Sequence, residues 1–178
     1  MVSDGPLSPI GVILHSDDAK VEELLANFAL AAQARGVDVG GVFQRDIGEG
    51  PVKARMELVD IRCGQTFPIS QNLGGGSTSC RVDPTGLAAA SHVLRREIER
   101  PASLLVVSKF GKLEAEGGGF ADEMFDAVAA GIPLLTSLAA RFTPQWQAAT
   151  DNAGEMLEPD MAALWRWWDK VQATWAAA

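Results

Sequence analysis

Short apolar runs alternate along this chain with longer segments of helical periodicity. The first run covers residues 10–14 and is bounded by polar residues, which is typical of a strand buried on both faces of a sheet. Apolar residues then recur at helical spacing over 18–35, and a second strand is predicted at 37–43. Because parallel strands need a long crossover connection, this order predicts a β-α-β unit and a mostly parallel sheet.

The remainder of the chain continues the alternation and adds one hairpin. Residues 56–61 and 65–69 flank a short Gly-containing turn, as the two strands of a β-hairpin do. Asp83 followed by Pro84 predicts a helix start, because the acid can cap the helix and proline fits its first position. Further strands are predicted at 104–107 and 133–138, and helices at 84–100, 121–130, from 143 onward and at 160–176.

Together these elements predict an α/β fold. We expect a single domain over residues 1–178, with a mostly parallel sheet, helices on both faces and an inserted β-hairpin. Residues 1–9 contain Pro, Gly and Ser and are expected to be flexible. In open parallel sheets, ligands bind among the loops that leave the carboxyl ends of the strands. The candidate site is therefore expected at that edge.

The charge balance and composition exclude several classes of protein. The chain has 15 Lys+Arg against 23 Asp+Glu, a net charge of −8, and its basic residues are scattered, so nucleic-acid binding is not expected. No apolar run approaches the ~20 residues that span a bilayer, so no membrane insertion is expected. Only two cysteines and the lack of a leader sequence predict a reduced, cytoplasmic protein.

Three segments at predicted strand ends could bind an anion. The first contains His15 and Ser16 and follows the first strand. A phosphate-binding loop of the P-loop class would carry Gly-Lys-Ser/Thr here, so that backbone amides and the lysine hold the phosphates. That motif is absent, and Asp17 and Asp18 would repel a triphosphate. His15 is predicted either to contact an anion, with Ser16, or to bond locally within its loop.

The second segment is rich in glycine and hydroxyl side chains. Consecutive glycines allow backbone N–H groups to converge on an anion, and the helix beginning near Pro84 adds a positive end. The predicted cradle consists of Gly74, Gly75, Gly76, Ser77, Thr78, Ser79 and Arg81. A flexible surface loop is an equally good interpretation of this segment.

The third segment follows the strand predicted at 104–107. Lys109 and Lys112 stand three residues apart beside a glycine and could supply positive charge to an anion. Glu114 and Glu116 could act as bases, metal ligands or salt-bridge partners. Gln44, at the end of the second strand, is a further predicted donor. The two histidines and two cysteines of the chain lack the spacing of a zinc site.

Four tryptophans crowd the last predicted helix. Trp165 and Trp168 are three residues apart and share a face, while Trp167 and Trp175 complete the group. Aromatic residues are enriched at protein interfaces, so this helix predicts a homo-oligomer. Core packing is the alternative use of the same side chains.

The sequence also resembles a known bacterial family. Residues 104–117, the strand end at 39–44, the loop at 74–83 and the turn at 131–133 are similar to a family of uncharacterised proteins labelled nucleoside-triphosphatase-like. The resemblance covers nearly the whole chain. It implies a degenerate, Rossmann-like relative of the P-loop nucleoside triphosphatases, commonly found near molybdenum-uptake or molybdoenzyme genes.

Two departures from the enzyme pattern shape the functional prediction. The first loop lacks its lysine, and Ser108 and Lys109 stand where the triphosphatases would carry an acidic pair for Mg²⁺, which removes electrostatic stabilisation of phosphoryl transfer. We therefore predict a non-catalytic oxyanion-binding protein that binds molybdate or a polyoxomolybdate cluster for storage or delivery.

Two other functions remain open from the sequence. The first is a nucleotide-binding protein or nucleoside triphosphatase that uses Mg²⁺ and a degenerate P-loop, with Glu114 or Glu116 as base or metal ligand. The second is an interaction module whose tryptophan-rich helix docks on a molybdenum transporter or a molybdoenzyme.

Overall fold

A computed structural model of the protein describes residues 9–16, 18–48, 55–71 and 81–175. The strands in this part of the chain are β1 (Ile10–His15), β2 (Val39–Ile47), β3 (Arg55–Asp60), β4 (Thr66–Pro68), β5 (Ser70–Gln71), β6 (Arg81–Val82), β7 (Leu104–Phe110), β8 (Leu134–Ala139) and β9 (Glu155–Leu157). The helices are α1 (Asp18–Ala34), α2 (Pro84–Glu99), α3 (Lys112–Ala115), α4 (Ala121–Ala129), α5 (Thr143–Thr150) and α6 (Met161–Trp175). Residues 1–9 were predicted to be flexible; of these, all but Pro9 lie outside the described residues.

Seven strands form one sheet in the order β4-β3-β2-β7-β8-β1-β9. β1, β2, β7, β8 and β9 run parallel, whereas β3 pairs antiparallel with β2 and β4 pairs antiparallel with β3. The predicted mostly parallel sheet and its hairpin are therefore confirmed. After β1 the chain crosses to β2 and returns through β7 and β8, so the direction of winding reverses beside β1, and such reversals create a crevice at the carboxyl edge.

Successive residues of the central strands pack on opposite faces of the sheet. On β7, Leu104 and Val106 belong to the apolar cluster beneath α1 and α6, while Leu105 and Val107 belong to the cluster beneath α2, α4 and α5. All four residues are fully buried. This two-sided burial explains why residues 104–107 of the strand are all apolar, and it confirms the prediction of helices on both faces.

Local capping places α2 where the sequence predicts it. The side chain of Asp83 accepts a hydrogen bond of 2.9 Å from the backbone N–H of Thr85, and Pro84 is the first helical residue. The strand predicted at 104–107 continues to Phe110 in the structure, as β7. The sequence analysis missed β9 and the short pair formed by β5 and β6, because these strands are only two or three residues long.

The tryptophans of α6 pack largely inside the chain. Trp167 and Trp168 are 2% and 4% exposed. Trp165 lies against Phe28 of α1, with ring centroids 4.7 Å apart, and beneath the guanidinium of Arg35. Core packing therefore accounts for these three side chains, and the predicted homo-oligomer stays a prediction.

A buried network of charges lies where α2 meets the end of β3. Glu97 of α2 accepts hydrogen bonds from Arg62 at 2.6 and 3.0 Å and from Arg96 at 2.7 Å. Asp60 accepts from the backbone N–H of Arg62 at 2.8 Å, from the thiol of Cys63 at 3.1 Å and from Arg96. Both carboxylates are almost inaccessible to solvent. Burial of these charges is tolerated because each carboxylate has several donors.

Among the described residues, no helix combines the length and the apolar character that crossing a membrane requires.

Candidate functional site

A pocket of about 220 Å³ opens at the carboxyl ends of β2, β7 and β8, on the sheet face covered by α2 and α4. Its polar and charged lining residues are Gln44, Ser108, Lys109, Lys112, Glu114 and Arg141. The rest of the lining consists of Met56, Leu58, Ile69, Val82, Leu87, Phe110, Gly111, Leu113, Phe120, Ala139 and Phe142. We call this space the carboxyl-edge pocket. It lies at the edge where the sequence analysis expected a site.

An irregular stretch of β7 shapes the pocket. Val107 pairs with Thr136 of β8 but Phe110 pairs with Leu138, so β7 contains an extra residue at this point. Such bulges redirect the side chains of a strand. Ser108 and Lys109 lie within the bulge, and the peptide bond between them is cis. The Ser108 hydroxyl is buried and forms no hydrogen bond with any other described residue.

Lys109 links the pocket to the opposite face of the sheet. Its ammonium lies 3.7 Å from a carboxylate oxygen of Glu22, a residue of α1 that is 5% exposed. The sequence analysis predicted Lys109 as a counter-charge for an anion. The structure places Lys109 at the pocket and also pairs it with Glu22, so part of its charge is already balanced.

Two further cations line the pocket. Lys112 begins α3, and Arg141 lies in the 3-10 turn Ala140–Phe142 that follows β8. Both are exposed, and neither forms an ion pair with another residue in the described part of the chain. The guanidinium of Arg141 lies 4.8 Å from the ring centroid of Phe142. Arg141 was missed in the sequence, although its position directly after a buried strand could have indicated it.

Glu114 holds the loop that borders the pocket. Its two carboxylate oxygens accept hydrogen bonds of 3.0 Å from the backbone N–H groups of Gly111 and Phe120. Burial raises the pKa of Glu114, and these hydrogen bonds and the charge of Lys109 oppose that rise only in part. The carboxylate thus bonds to the backbone of its own loop, and its role as a base, metal ligand or salt-bridge partner stays a prediction. Glu116 is exposed and does not line the pocket.

Gln44 lies at the pocket as the sequence suggests. It is 9% exposed and stands opposite Leu58 in the pairing of β2 with β3. Its side-chain amide lies 3.4 Å from a carboxylate oxygen of Asp46. One wall of the pocket is therefore built by the hairpin, through Leu58 and Met56 of β3.

The first predicted segment is not part of this pocket. His15 is buried at the end of β1 and pairs with Ala139 of β8, which does line the pocket, but neither His15 nor Ser16 is a lining residue. The assignment of these two residues to ligand binding stays a prediction. In the sheet, β8 separates β1 from β7, the strand that carries the bulge.

The predicted glycine-rich cradle cannot be placed in the site. Gly74, Gly75, Gly76, Ser77, Thr78 and Ser79 lie outside the described residues. Arg81 begins β6, whose next residue, Val82, lines the pocket. The assignment of these residues, and of the lysines, to ligand binding stays a prediction.

Metal binding has little support in the described ranges. Within residues 9–16, 18–48, 55–71 and 81–175, no three His, Cys, Asp or Glu side chains cluster as a metal site would require. The acids nearest the pocket are already bonded, Glu114 to backbone amides and Glu22 to Lys109.

Comparison of the fold with solved structures finds a nucleoside triphosphatase. The solution structure of a human cancer-related nucleoside triphosphatase matches with a TM-score of 0.63 over 97% of this chain and 100% of that one. The two sequences are 16% identical, so the likeness concerns the fold alone. It confirms the predicted α/β architecture.

Comparison of the sequence finds a relative in a molybdenum importer. The chain is 34% identical over 160 residues to the molybdenum import ATP-binding protein ModC 2 of Bradyrhizobium diazoefficiens. The match covers 89% of this chain but only 18% of that protein. A family model described as "Protein of unknown function (DUF2478)" matches residues 10–167. Because this match spans most of its length, the chain belongs to the DUF2478 family.

Proposed function

We propose that this chain binds a small molecule that carries an oxyanion group, and that it does so without hydrolysing a nucleoside triphosphate. The observation that carries the proposal is the convergence of Lys109, Lys112 and Arg141 on one pocket. The three cations come from β7, α3 and the turn after β8. In a chain of net charge −8, a local group of cations is what makes binding of an anion favourable.

The donors around the pocket suit an oxyanion. Lysine and arginine form charge-assisted hydrogen bonds to oxyanions. The hydroxyl of Ser108 is buried at the pocket and has no partner among the described residues. A ligand that supplies a hydrogen bond to a buried hydroxyl of this kind stabilises the complex.

The proposed lack of hydrolysis rests on the charges at two strand ends. A phosphoryl-transfer site of the P-loop class needs a lysine in the first loop and a carboxylate that helps to hold Mg²⁺. Here the first loop has no lysine, and Ser108 and Lys109 near the end of β7 stand where the carboxylate would be needed. The carboxylate close to Lys109, Glu22 of α1, pairs with its ammonium at 3.7 Å.

Molybdate is the inorganic anion to test first. The Bradyrhizobium relative is named as a molybdenum import protein, and the sequence resemblance also pointed to molybdenum. Because this chain corresponds to a small part of that relative, molybdate binding, with a role in storage or delivery, is a proposal. A nucleotide is the second candidate, supported by the ATP-binding name of the same relative and by the triphosphatase fold.

Calorimetry at fixed salt tests the proposal. Molybdate, tungstate, sulfate, phosphate and ATP are titrated into the wild type and into Lys112→Ala and Arg141→Ala. Each substitution is expected to weaken binding about fivefold, as the loss of an exposed charge contact does. Arg166→Ala is the matched control, because Arg166 is exposed on α6, on the other face of the sheet. Absence of binding heat for all five anions would contradict the proposal.

Hydrolysis is tested separately. Phosphate release from ATP and GTP with Mg²⁺ is compared for the wild type, Glu114→Gln and Glu116→Gln. We expect no release above the protein-free rate. Turnover that disappears in either variant would favour the triphosphatase.

A further inference from the structure

The carboxyl-edge pocket is built from two chemically different parts. Its cations come from β7, α3 and the turn that follows β8. Its apolar wall comes from β3, the residues beside β5 and β6, and α2, with Leu58, Ile69 and Leu87 as representatives. Gln44 of β2 lies between the two parts, because β2 separates β3 from β7 in the sheet. The aliphatic wall from β3 and the cations therefore come from strands on opposite sides of β2.

Aromatic side chains extend the apolar part. Phe110 and Phe120 are 1% and 2% exposed, and Phe142 lies at the pocket beside Arg141. Phe110 is also held by an edge-to-face contact with Trp146, with ring centroids 5.1 Å apart. These rings are fixed by the core, so they offer a preformed surface to a ligand rather than one that must be ordered on binding.

The pocket is too large and too apolar for a bare oxyanion. The pocket measures about 220 Å³, and most of its lining side chains are apolar. A tetrahedral oxyanion has five heavy atoms and would lose its water next to walls that offer no hydrogen bond, which costs free energy. Sites for small organic molecules, by contrast, combine mostly apolar walls with a few polar groups.

We infer that the ligand of the carboxyl-edge pocket is an organic anion, in which a compact apolar or aromatic body is joined to a phosphate or carboxylate group. The inference rests on the proposed function, because it assigns the anionic group to the same cations. The body lies against Leu58, Leu87 and the phenylalanine rings, and the anionic group meets Lys112, Arg141 and Lys109. A free inorganic oxyanion such as molybdate then engages only the cationic part.

Three probes separate the two parts of the ligand. Phenyl phosphate carries both parts, inorganic phosphate carries only the anion, and phenol carries only the ring. Phenyl phosphate is expected to bind at least tenfold more tightly than either of the others in calorimetry. Benzoate replaces phosphate by carboxylate and shows which of the two anionic groups is preferred.

Matched variants locate the binding to the pocket. Leu113 is 36% exposed and lines the pocket, while Leu30 is 57% exposed on α1, away from it. Leu113→Ala should weaken phenyl phosphate severalfold and leave inorganic phosphate unchanged. Leu30→Ala should change neither. Phe142→Ala gives a second test of the apolar part, and Lys112→Ala should weaken both phosphates.

Each outcome decides between the two proposals. Inorganic phosphate or molybdate binding as tightly as phenyl phosphate would overturn the inference and leave the proposed oxyanion binding intact. Phenol binding as tightly as phenyl phosphate would overturn the proposed oxyanion binding, because the cations would then contribute nothing. Failure of all the anions and of phenol to bind would overturn both.

Discussion

The ammonium of Lys109, at the end of β7, lies 3.7 Å from the carboxylate of Glu22 in α1. The side chain of Lys109 is 28% exposed and that of Glu22 is 6% exposed. Glu22 is therefore buried, while Lys109 reaches the pocket. This pair joins a helix on one face of the sheet to a pocket on the other.

Replacing Lys109 by methionine should destabilise the protein by about 2 kcal/mol. The ammonium beside the buried Glu22 carboxylate would be lost, and removing one partner of a fully buried pair costs about 3–5 kcal/mol, a range reduced here because Lys109 is partly exposed. Urea unfolding followed by fluorescence measures the change. Lys112→Met, at an exposed position, should stay within about 0.5 kcal/mol of the wild type. Equal effects of the two substitutions would contradict the importance of the pair.

Glu114→Gln should lower the free energy of unfolding by about 2 kcal/mol. Each oxygen of Glu114 accepts a backbone N–H, from Gly111 and from Phe120. Glutamine offers an acceptor to only one of these amides, and a buried donor left without its acceptor costs about 1–3 kcal/mol. Thermal and urea unfolding at pH 7 measure the loss. The exposed Glu116→Gln is the control and should have little effect.

The same residue should give stability a measurable pH dependence. Burial raises the pKa of Glu114 in the folded protein above its usual value, so ionisation of this group disfavours the folded state. Stability should therefore decrease as the pH rises from about 4.3, the value for an unperturbed glutamate, through the raised pKa. The contribution is absent in Glu114→Gln. An unchanged difference between wild type and variant across this range would contradict the raised pKa.

Asp60 should act in the opposite direction at acid pH. Its burial would raise the pKa, but hydrogen bonds from Cys63, the backbone of Arg62 and Arg96 hold it below the usual value. A lowered pKa contributes stability above about pH 3.9, the unperturbed aspartate value, and this stability is lost as the pH falls through the folded pKa. The gap in unfolding free energy between wild type and Asp60→Asn should therefore shrink with acidification below that pH. A constant gap would show that the pKa of Asp60 is the same in the folded and unfolded states, and would contradict the lowered pKa.

Gly40→Ala should cost about 3 kcal/mol, from overpacking and disruption of a buried ion pair. A Cβ at Gly40 would overlap the carboxylate of Glu97, which holds Arg62 and Arg96. Gly118→Ala is the control, because the nearest atom to a Cβ there is the carbonyl oxygen of Leu113, 3.5 Å away. If both alanine variants unfold at the same urea concentration, the close approach at Gly40 has no energetic weight.

The central strands and their helices could be predicted because each carries its signal locally. β1 is apolar in every position that faces a core, and α2 begins with its own cap at Asp83. β9 could not be predicted, since two of its three residues are exposed and its pairing with β1 is a long-range contact. The same holds for Trp167 and Trp168, whose burial depends on how α6 packs against α1.

The pocket lies at the sheet edge that the sequence predicts, but its electrostatics were not predictable. Lys109 and Lys112 were predicted as counter-charges because they follow the apolar run at 104–107. The partner of Lys109 could not be identified, because Glu22 precedes it by more than eighty residues and meets it only through the crossover of α1. Glu114 was predicted as a base, metal ligand or salt-bridge partner. Its hydrogen bonds from Gly111 and Phe120 could not be predicted, because they depend on how the loop folds back on itself.

The antiparallel hairpin has a consequence for how this protein could diversify. β3 pairs with β2 on one side and with the short strand β4 on the other, so it is paired with none of the other parallel strands. Met56 and Leu58 of β3 nevertheless form part of the pocket wall. Side-chain changes on this outer strand would alter what the pocket accepts and leave the pairing of the five parallel strands untouched. Met56, which is only partly buried, can therefore vary the shape of this wall without changing the hydrogen bonding of the parallel strands, whereas Leu58 is also part of the apolar core.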